Sequence, residues 1–257
     1  MDIYQHFRKE EHAFIDQVLS WKDDVNRSYR NKLTDFLDPR QQFIVDSLTG
    51  KNDDVKVWQF GGGRHSERQR ALITPFYEQV QQEDFGLCLL QASYQEKFST
   101  LTHRDVLGTF ISLGLKRDKL GDIQVSNGLI QMIVADEIAK FVVLQMTTVK
   151  RMKISMEEKP LSAYREQPSV WNEMGRTVSS LRLDTVLKEI YHVSRKEASD
   201  YIKKQAVKVN FKLVEDVKFQ VCEQDIISVR SKGRSKLVKI EGKTKKDKFK
   251  VVVATLK

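Results

Sequence analysis

The chain has little cysteine, and what it has is scattered: Cys88 and Cys222 are its only two among 257 residues. Neither sits in a C-x-x-C pair or beside a histidine, so the spacing supports neither a disulfide framework nor a metal site. Both lie in apolar, strand-like runs and are expected to be small buried hydrophobes. No stretch approaches the roughly 18 consecutive apolar residues of a membrane span. The start, MDIYQHFRKEEH, mixes charge with apolar residues where a secretory signal would carry an apolar block. A cytoplasmic protein with no membrane partner is expected. There is no internal repeat and no low-complexity linker. Glycine clusters once, at Gly61-Gly62-Gly63, without the further spaced glycine of a dinucleotide fingerprint or the Gly-Lys-Ser/Thr of a phosphate loop. It is expected to be a flexible turn; the rival reading is a methyltransferase loop. Arg64, Arg68 and Arg70 follow it and could add an RNA contact.

What is present is positive charge in one place. The net charge is +9, yet residues 182–257 hold 20 Lys and Arg against 10 Asp and Glu, while residues 1–181 hold 24 against 25. The last 76 residues therefore carry the whole excess. That asymmetry points to a polyanion-binding module on a near-neutral body, and 40% hydrophobic content suffices for packed cores.

The chain is long enough for two or three domains, and three are expected: 1–80, 81–181 and 182–257. The first reads as helical, with Ile3, Phe7, Phe14, Val18 and Trp21 at helical spacing, a break at Asp38-Pro39, a second run through Phe43, Ile44 and Leu48, and a short strand at 55–60. In the second, FGLCLLQASY suits a strand, and Thr102 with Asp105 forms a capping box opening a helix to about Leu115. A hairpin turns at Asn127-Gly128, DEIAKFVVLQM returns to helical period, and MKISM with 177–181 supplies closing strand material. Strand, helix, hairpin, helix, strand is the order of a ferredoxin-like sandwich, shared with the RNA-recognition fold. The central strand GLIQMIV lacks the aromatics such domains use to stack bases, so base stacking there is not expected. The fold class is α+β throughout.

In the third segment, Leu183, Val186, Leu187 and Ile190 stripe one short helix. SRKEASDYIKKQAVKVN then packs five cations into seventeen residues. Ser194 and Glu197 make a second capping box, and the helix separates an inward face, Ala198 and Ile202, from a face of Arg195, Ser199 and Lys203, flanked by Lys196 and Lys204. One-signed charge rising from a helix N-terminus suits phosphates. Three alternating strands follow, through Val207 and Val209, through Val217, Phe219 and Val221, and through Ile227 and Val229. A turn with Arg230, Lys232, Arg234 and Lys236 leads to a closing hairpin tipped by Lys243, Lys245 and Lys246.

The blocks RLDTVLKEIYHVSRKEASDYIKKQAVKVN and V-x-x-x-D-I-I-S-V-R resemble the RNA-binding domain named after ribosomal protein S-four. The resemblance implies one basic face for structured RNA, built from Arg182, Ser194, Arg195, Lys196, Ser199, Lys203, Lys204, Lys208, Asn210 and Arg230; the charge of the following turn adds Lys232, Arg234 and Lys236 to the expected RNA-binding residues. Two glycines of the pattern are replaced, by Gln205 and by Phe211. The whole chain, including LTHRDVLGTFISLGLKRDKLGDI at Leu101 to Ile123, is similar to the bacterial YlmH-like proteins. That similarity implies a binder of ribosomal and transfer RNA on the large subunit, acting in rescue of stalled nascent chains, with an association to cell division. A noncatalytic monomer with no cofactor and no metal is expected.

Rival readings are an RNA-modifying enzyme and a division-site adaptor. Arg182-Leu183-Asp184 resembles the pseudouridine synthase signature, where the aspartate is the nucleophile; the plainer reading puts Asp184 in a first helical turn, favouring the dipole. His103, with Arg104 and Asp105, reads as first-turn helix rather than acid–base machinery. Lys116, Arg117 and Lys119 read as a solvated helix end, with a ribosome contact as the alternative. Trp21, Trp58 and Trp171 are expected in the core.

Overall fold

The computed structural model describes residues 3–49, 54–97, 100–166 and 170–256. The chain divides into two compact units, Met1–Gln167 and Pro168–Lys257. Among the described residues, no helix is long and apolar enough to cross a membrane.

The first unit opens with two 3-10 turns and then α1 (His12–Ser28), whose buried Ile15, Val18 and Val25 keep helical spacing. After β1 (Lys32–Leu37), α2 (Pro39–Leu48) begins at the expected break. Asp38 accepts from the Gln41 amide at 2.9 Å, Gln41 returns the bond to the Asp38 amide at 3.0 Å, and Pro39 fills the first turn. Strands β2 (Val55–Phe60) and β3 (Gln69–Pro75) complete an antiparallel sheet in the order β1-β3-β2. Both helices lie where expected, except that Ile3 and Phe7 stand ahead of α1, in a 3-10 turn and a bend; two of these three strands were not legible, because β1 carries polar Thr34 and Asp35 within it and β3 opens on Gln69 and Arg70.

The middle of the unit follows the expected element order: β4 (Leu87–Ser93), α3 (His103–Ser112), β5 (Leu120–Ser126), β6 (Leu129–Ala135), α4 (Asp136–Gln145), the two-residue strands β7 (Thr148–Val149) and β8 (Met152–Lys153), and β9 (Glu157–Lys159). The sheet order β5-β6-β4-β9, antiparallel throughout, is that of the ferredoxin-like sandwich. Asn127 (φ 51°) and Gly128 (φ 70°) form the predicted two-residue hairpin turn. The Thr102 amide donates to Asp105 Oδ2 at 2.8 Å, and Lys150 pairs with the same carboxylate at 2.8 Å. Hydrogen bonds from Lys150 and Thr102 pull Asp105 down to about 2, so it stays charged as the helix cap. The closing strand differs from expectation. MKISM provides only a small hairpin, 177–178 belongs to the second unit, and the edge strand is the charged Glu-Glu-Lys of β9, which has no alternating apolar signal.

One face of this sheet, through Leu90, Met132 and Val134, packs on α3 and α4. The other, through Leu89, Ile133 and Ala135, is covered by Phe36 of β1 and by Leu161 and Tyr164. Buried Gln131 holds that cover in place: its amide nitrogen donates to Gln91 Oε1 at 2.8 Å and to the Ala163 carbonyl at 2.9 Å, while its oxygen accepts from the Arg165 amide at 2.8 Å. The face on which a recognition domain would stack bases is closed with protein.

The glycine cluster is part of the same cover. A Cβ on Gly61 would lie 2.3 Å from the Arg68 carbonyl oxygen, and Gly62, at φ 93°, abuts Ile133. It is a turn, as expected, but a packed one. Arg68 and Arg70 are buried, so neither is available to RNA: Arg68 Nη2 donates to the Phe36 carbonyl at 2.7 Å, and Arg70 donates to the carbonyls of Thr34 at 2.7 Å and Gly86 at 3.0 Å. At the end of the Leu101 to Ile123 block Lys116 is exposed, as expected, but Arg117 and Lys119 are not solvated ends, and the block clamps β1. Lys119 bonds Asp35 at 2.5 Å and Glu137 at 2.8 Å, Arg117 turns onto the Leu120 and Gly121 carbonyls, and Asp122 accepts from the Glu67 and Arg68 amides at 2.7 and 3.2 Å. Trp58 is exposed instead of buried, and both cysteines are only half-buried, with burial pushing the Cys88 thiol up to about 11.

The second unit is one six-stranded sheet with two helices: β10 (Trp171–Val178), α5 (Leu183–Tyr191), α6 (Arg195–Lys203), β11 (Val207–Val209), β12 (Lys212–Leu213), β13 (Ile226–Val229), β14 (Gly233–Lys243) and β15 (Phe249–Leu256), in the order β10-β15-β14-β13-β11-β12. Residues 217–221, expected to be a strand, form a turn with a single bridge from Gln220 to Arg182. Their backbone serves the entry to α5 instead: the Leu183 amide donates to Phe219 at 2.8 Å and the Val221 amide to Leu181 at 2.8 Å. The alternation is real, since Val217, Phe219 and Val221 all pack on the core.

Gly121 lets β5 lie close against β1, because a Cβ there would sit 2.7 Å from buried Phe36. Gly121→Ala should destabilise the first unit by about 1–3 kcal/mol in denaturant titration, while Gly175→Ala, with open space around it, should be near neutral. Asp122 is raised to about 6 by burial, above its ordinary 3.8. The folded state therefore takes up a proton between those values that the unfolded chain does not, and stability should rise as pH falls through about 6. Asp122→Asn should flatten that part of the thermal-midpoint profile; an unchanged slope would exclude Asp122 as its source.

Candidate nucleic-acid interface

The charge-bearing segment folds as a helical pair on a sheet. Leu183, Val186, Leu187 and Ile190 of α5 and Ala198 and Ile202 of α6 meet Val207, Val209, Ile227, Val229 and Leu237 in one core. Ser194 caps α6 by accepting from the Glu197 amide at 3.1 Å. The reciprocal arm of the expected box is replaced, since Glu197 Oε1 accepts from the Tyr201 hydroxyl at 2.9 Å.

The organising group is Asp184, which is 1% exposed. Its carboxylate accepts from Arg182 Nε and Nη2, each at 3.1 Å, from Arg195 Nε at 2.9 Å and from the Thr185 hydroxyl at 3.3 Å. Burial pushes its pKa up, but the Arg195 and Arg182 guanidiniums outweigh that and hold it below the ordinary range. One buried anion thus fixes two guanidiniums at the start of both helices, and the Arg195 side chain stays 60% exposed. The sequence offered Asp184 as a dipole partner; its work as a double anchor was not legible, because Arg195 is eleven residues away.

The thirteen predicted residues do not share one face. Arg195, Lys196, Lys203 and Lys204 are exposed on and just beyond α6, with Ser199 beside them, its hydroxyl donating to the Arg195 carbonyl at 2.9 Å. Lys208 lies between the core residues Val207 and Val209, so it projects from the opposite side of the sheet, away from the helices. Its cross-strand partner is Ser228, whose partner on β14 is Arg234. Ser235 meets the α5 Tyr191 hydroxyl at 3.1 Å, so its neighbours Arg234 and Lys236 share the outward side with Lys208. Arg230 and Lys232 are exposed where β13 turns into β14. The half-buried Asn210 is engaged by internal hydrogen bonds: its amide nitrogen donates to Asp225 at 2.8 Å and its oxygen accepts from the Ile226 amide at 2.9 Å. Helix period and strand period were each legible, but which side of the sheet α6 covers is a tertiary fact. Gln205 (φ 53°) and Phe211 (φ 66°), which stand where the pattern has glycine, retain glycine-like left-handed backbone.

Residues 80–163 match the family described as "Putative RNA-binding domain in YlmH", and residues 181–227 match the S4 domain. The ribosome-associated protein quality control protein P2 of Bacillus subtilis (strain 168) is 46% identical over 251 residues, which is 97% of each chain. A solved structure of the cell division protein ylmH from Streptococcus pneumoniae is 33% identical, with a TM-score of 0.54, over 62% of this chain and 97% of that one. With both RNA-binding family models matched in order and a relative of that identity spanning nearly its full length, the chain belongs to the YlmH-like family.

Proposed function

We propose that this protein is a noncatalytic RNA-binding factor of the ribosome, holding structured ribosomal or transfer RNA on the large subunit during handling of stalled nascent chains. The observation that carries this reading is the Asp184 anchor: it presets Arg182 and Arg195 beside the exposed cations of α6, so less side-chain freedom is lost when phosphates bind. Contacts of this kind give affinity and position more than sequence choice. The quality-control name of the Bacillus relative supports the ribosomal setting. Asp184, the residue that would be the nucleophile of a pseudouridine synthase, is enclosed and occupied by two guanidiniums, which favours the anchoring role over chemistry. The streptococcal structure's name supports a second reading, a link to cell division. We place the protein in the cytoplasm as a monomer.

Combined Arg195→Glu and Lys203→Glu should abolish ribosome co-sedimentation at moderate salt, and each lost phosphate contact should shrink the salt slope by about 1; retained co-sedimentation would remove α6 from the interface. Asp184→Asn should weaken RNA binding while leaving every cation in place, and should destabilise the second unit by ~1–3 kcal/mol. Because the folded pKa of Asp184 is depressed, its contribution is present above the ordinary carboxylate value of 3.8 and is lost as pH falls below it. Acid titration of the two proteins should show the difference between them closing in that range.

A further inference from the structure

Phe211 pairs strain with exposure. Its backbone lies at φ 66°, next to Asn210 at φ 47°, in a region that a bulky side chain occupies at a cost and glycine occupies freely. The ring is 40% exposed and is not one of the buried residues that form the core of its unit. Strain of this kind is retained where a side chain has work to do. Leu213, two residues on and in β12, is 52% exposed and is the cross-strand partner of Lys208. The Arg234 guanidinium stands 5.7 Å from the Phe211 ring centroid, and Arg234 and Lys208 face outward from the same side of the sheet through their shared partner Ser228.

An exposed ring, a guanidinium plane against it and a lysine on the same face are the components of a single-strand nucleotide site: a surface for the base and cations for its phosphates. An apolar peptide would use the ring without needing the cations. We propose that Phe211, backed by Arg234 and flanked by Lys208, is a stacking platform for an unpaired nucleobase, on the sheet face turned away from α5 and α6. The proposal rests on the RNA-binding reading above and adds a second contact of different chemistry to it. The unit would grip phosphates on the helix side and one unstacked base on the other, and base stacking would thus sit in the C-terminal unit, while the middle sheet's corresponding face is covered.

The test uses the full-length protein and two synthetic RNAs, a hairpin whose unpaired loop carries a fluorescent adenine analogue and a blunt duplex of the same stem. Phe211→Gly restores the residue the backbone prefers, so folding should be kept or improved, as thermal melting would verify. It should bind the hairpin about tenfold more weakly, lose the fluorescence change on binding, and leave duplex affinity and the salt slope unaltered, whereas Phe211→Tyr should behave as wild type. Hairpin affinity of Phe211→Gly within about twofold of wild type, alongside loss of binding in the α6 charge-reversal protein, would overturn the platform and leave the RNA-binding reading standing. Failure of the wild-type protein to bind either RNA or ribosomes would overturn both. Loss of ribosome association by Phe211→Gly with hairpin binding intact would assign the ring to a protein partner and overturn the platform.

Discussion

The C-terminal unit turns on a carboxylate buried between two arginines. An unpaired Asp184 at that depth would cost several kcal/mol, and pairing with Arg182 and Arg195 offsets the cost while dictating where both guanidiniums sit. The interaction joins the residue before α5 to the first residue of α6, so it fixes the helix pair as well as the charge it displays. A basic surface built on long flexible side chains would pay heavily in entropy on binding; one tied at its base to a buried anion is partly ordered already.

The first unit spends its charged residues differently. Arg68 and Arg70 are buried against carbonyls of β1, Lys119 bridges Asp35 and Glu137, and Asp122 caps two amides at the turn before β3. These groups fasten the N-terminal sheet over the ferredoxin-like sheet, together with Phe36 packed against Gly121 and the segment held by Gln131. A fold shared with RNA-recognition domains is thereby given a closed sheet face. Its position within a family whose members carry an RNA-binding name rests on the sequence match at 80–163, and whatever that domain contacts must be met by other surfaces than the covered one.

Within the second unit, two chemistries are separated by one layer of sheet. The helix side shows cations held by a buried acid, and the outward side shows a cation row with an exposed ring. Structured RNA offers both phosphates and unstacked bases, and the two faces of this unit differ in the chemistry they present to such a polymer.

Much of this was legible in the residues. The 3.6 and 2 periodicities announced α1, α2, α5, α6 and most strands of the ferredoxin-like core, Asn127-Gly128 announced its hairpin, the Thr102 and Asp38 starts announced their helices, and the charge count located the basic module, because each signal is local. The strands that escaped notice include ones without alternation, the charged β9, the polar β1 and β3, which is buried on both sides from Arg70 onward. The alternating 217–221 segment became a turn because its backbone partners are the residues entering α5, supplied only by the folded chain. The same division governs the interface. Composition and helical spacing determined which cations share a helix face, whereas the side of the sheet that α6 covers, the burial of Asp184 and the placing of Arg68 and Arg70 inside were decided by packing, since desolvation and pairing depend on neighbours far apart in sequence.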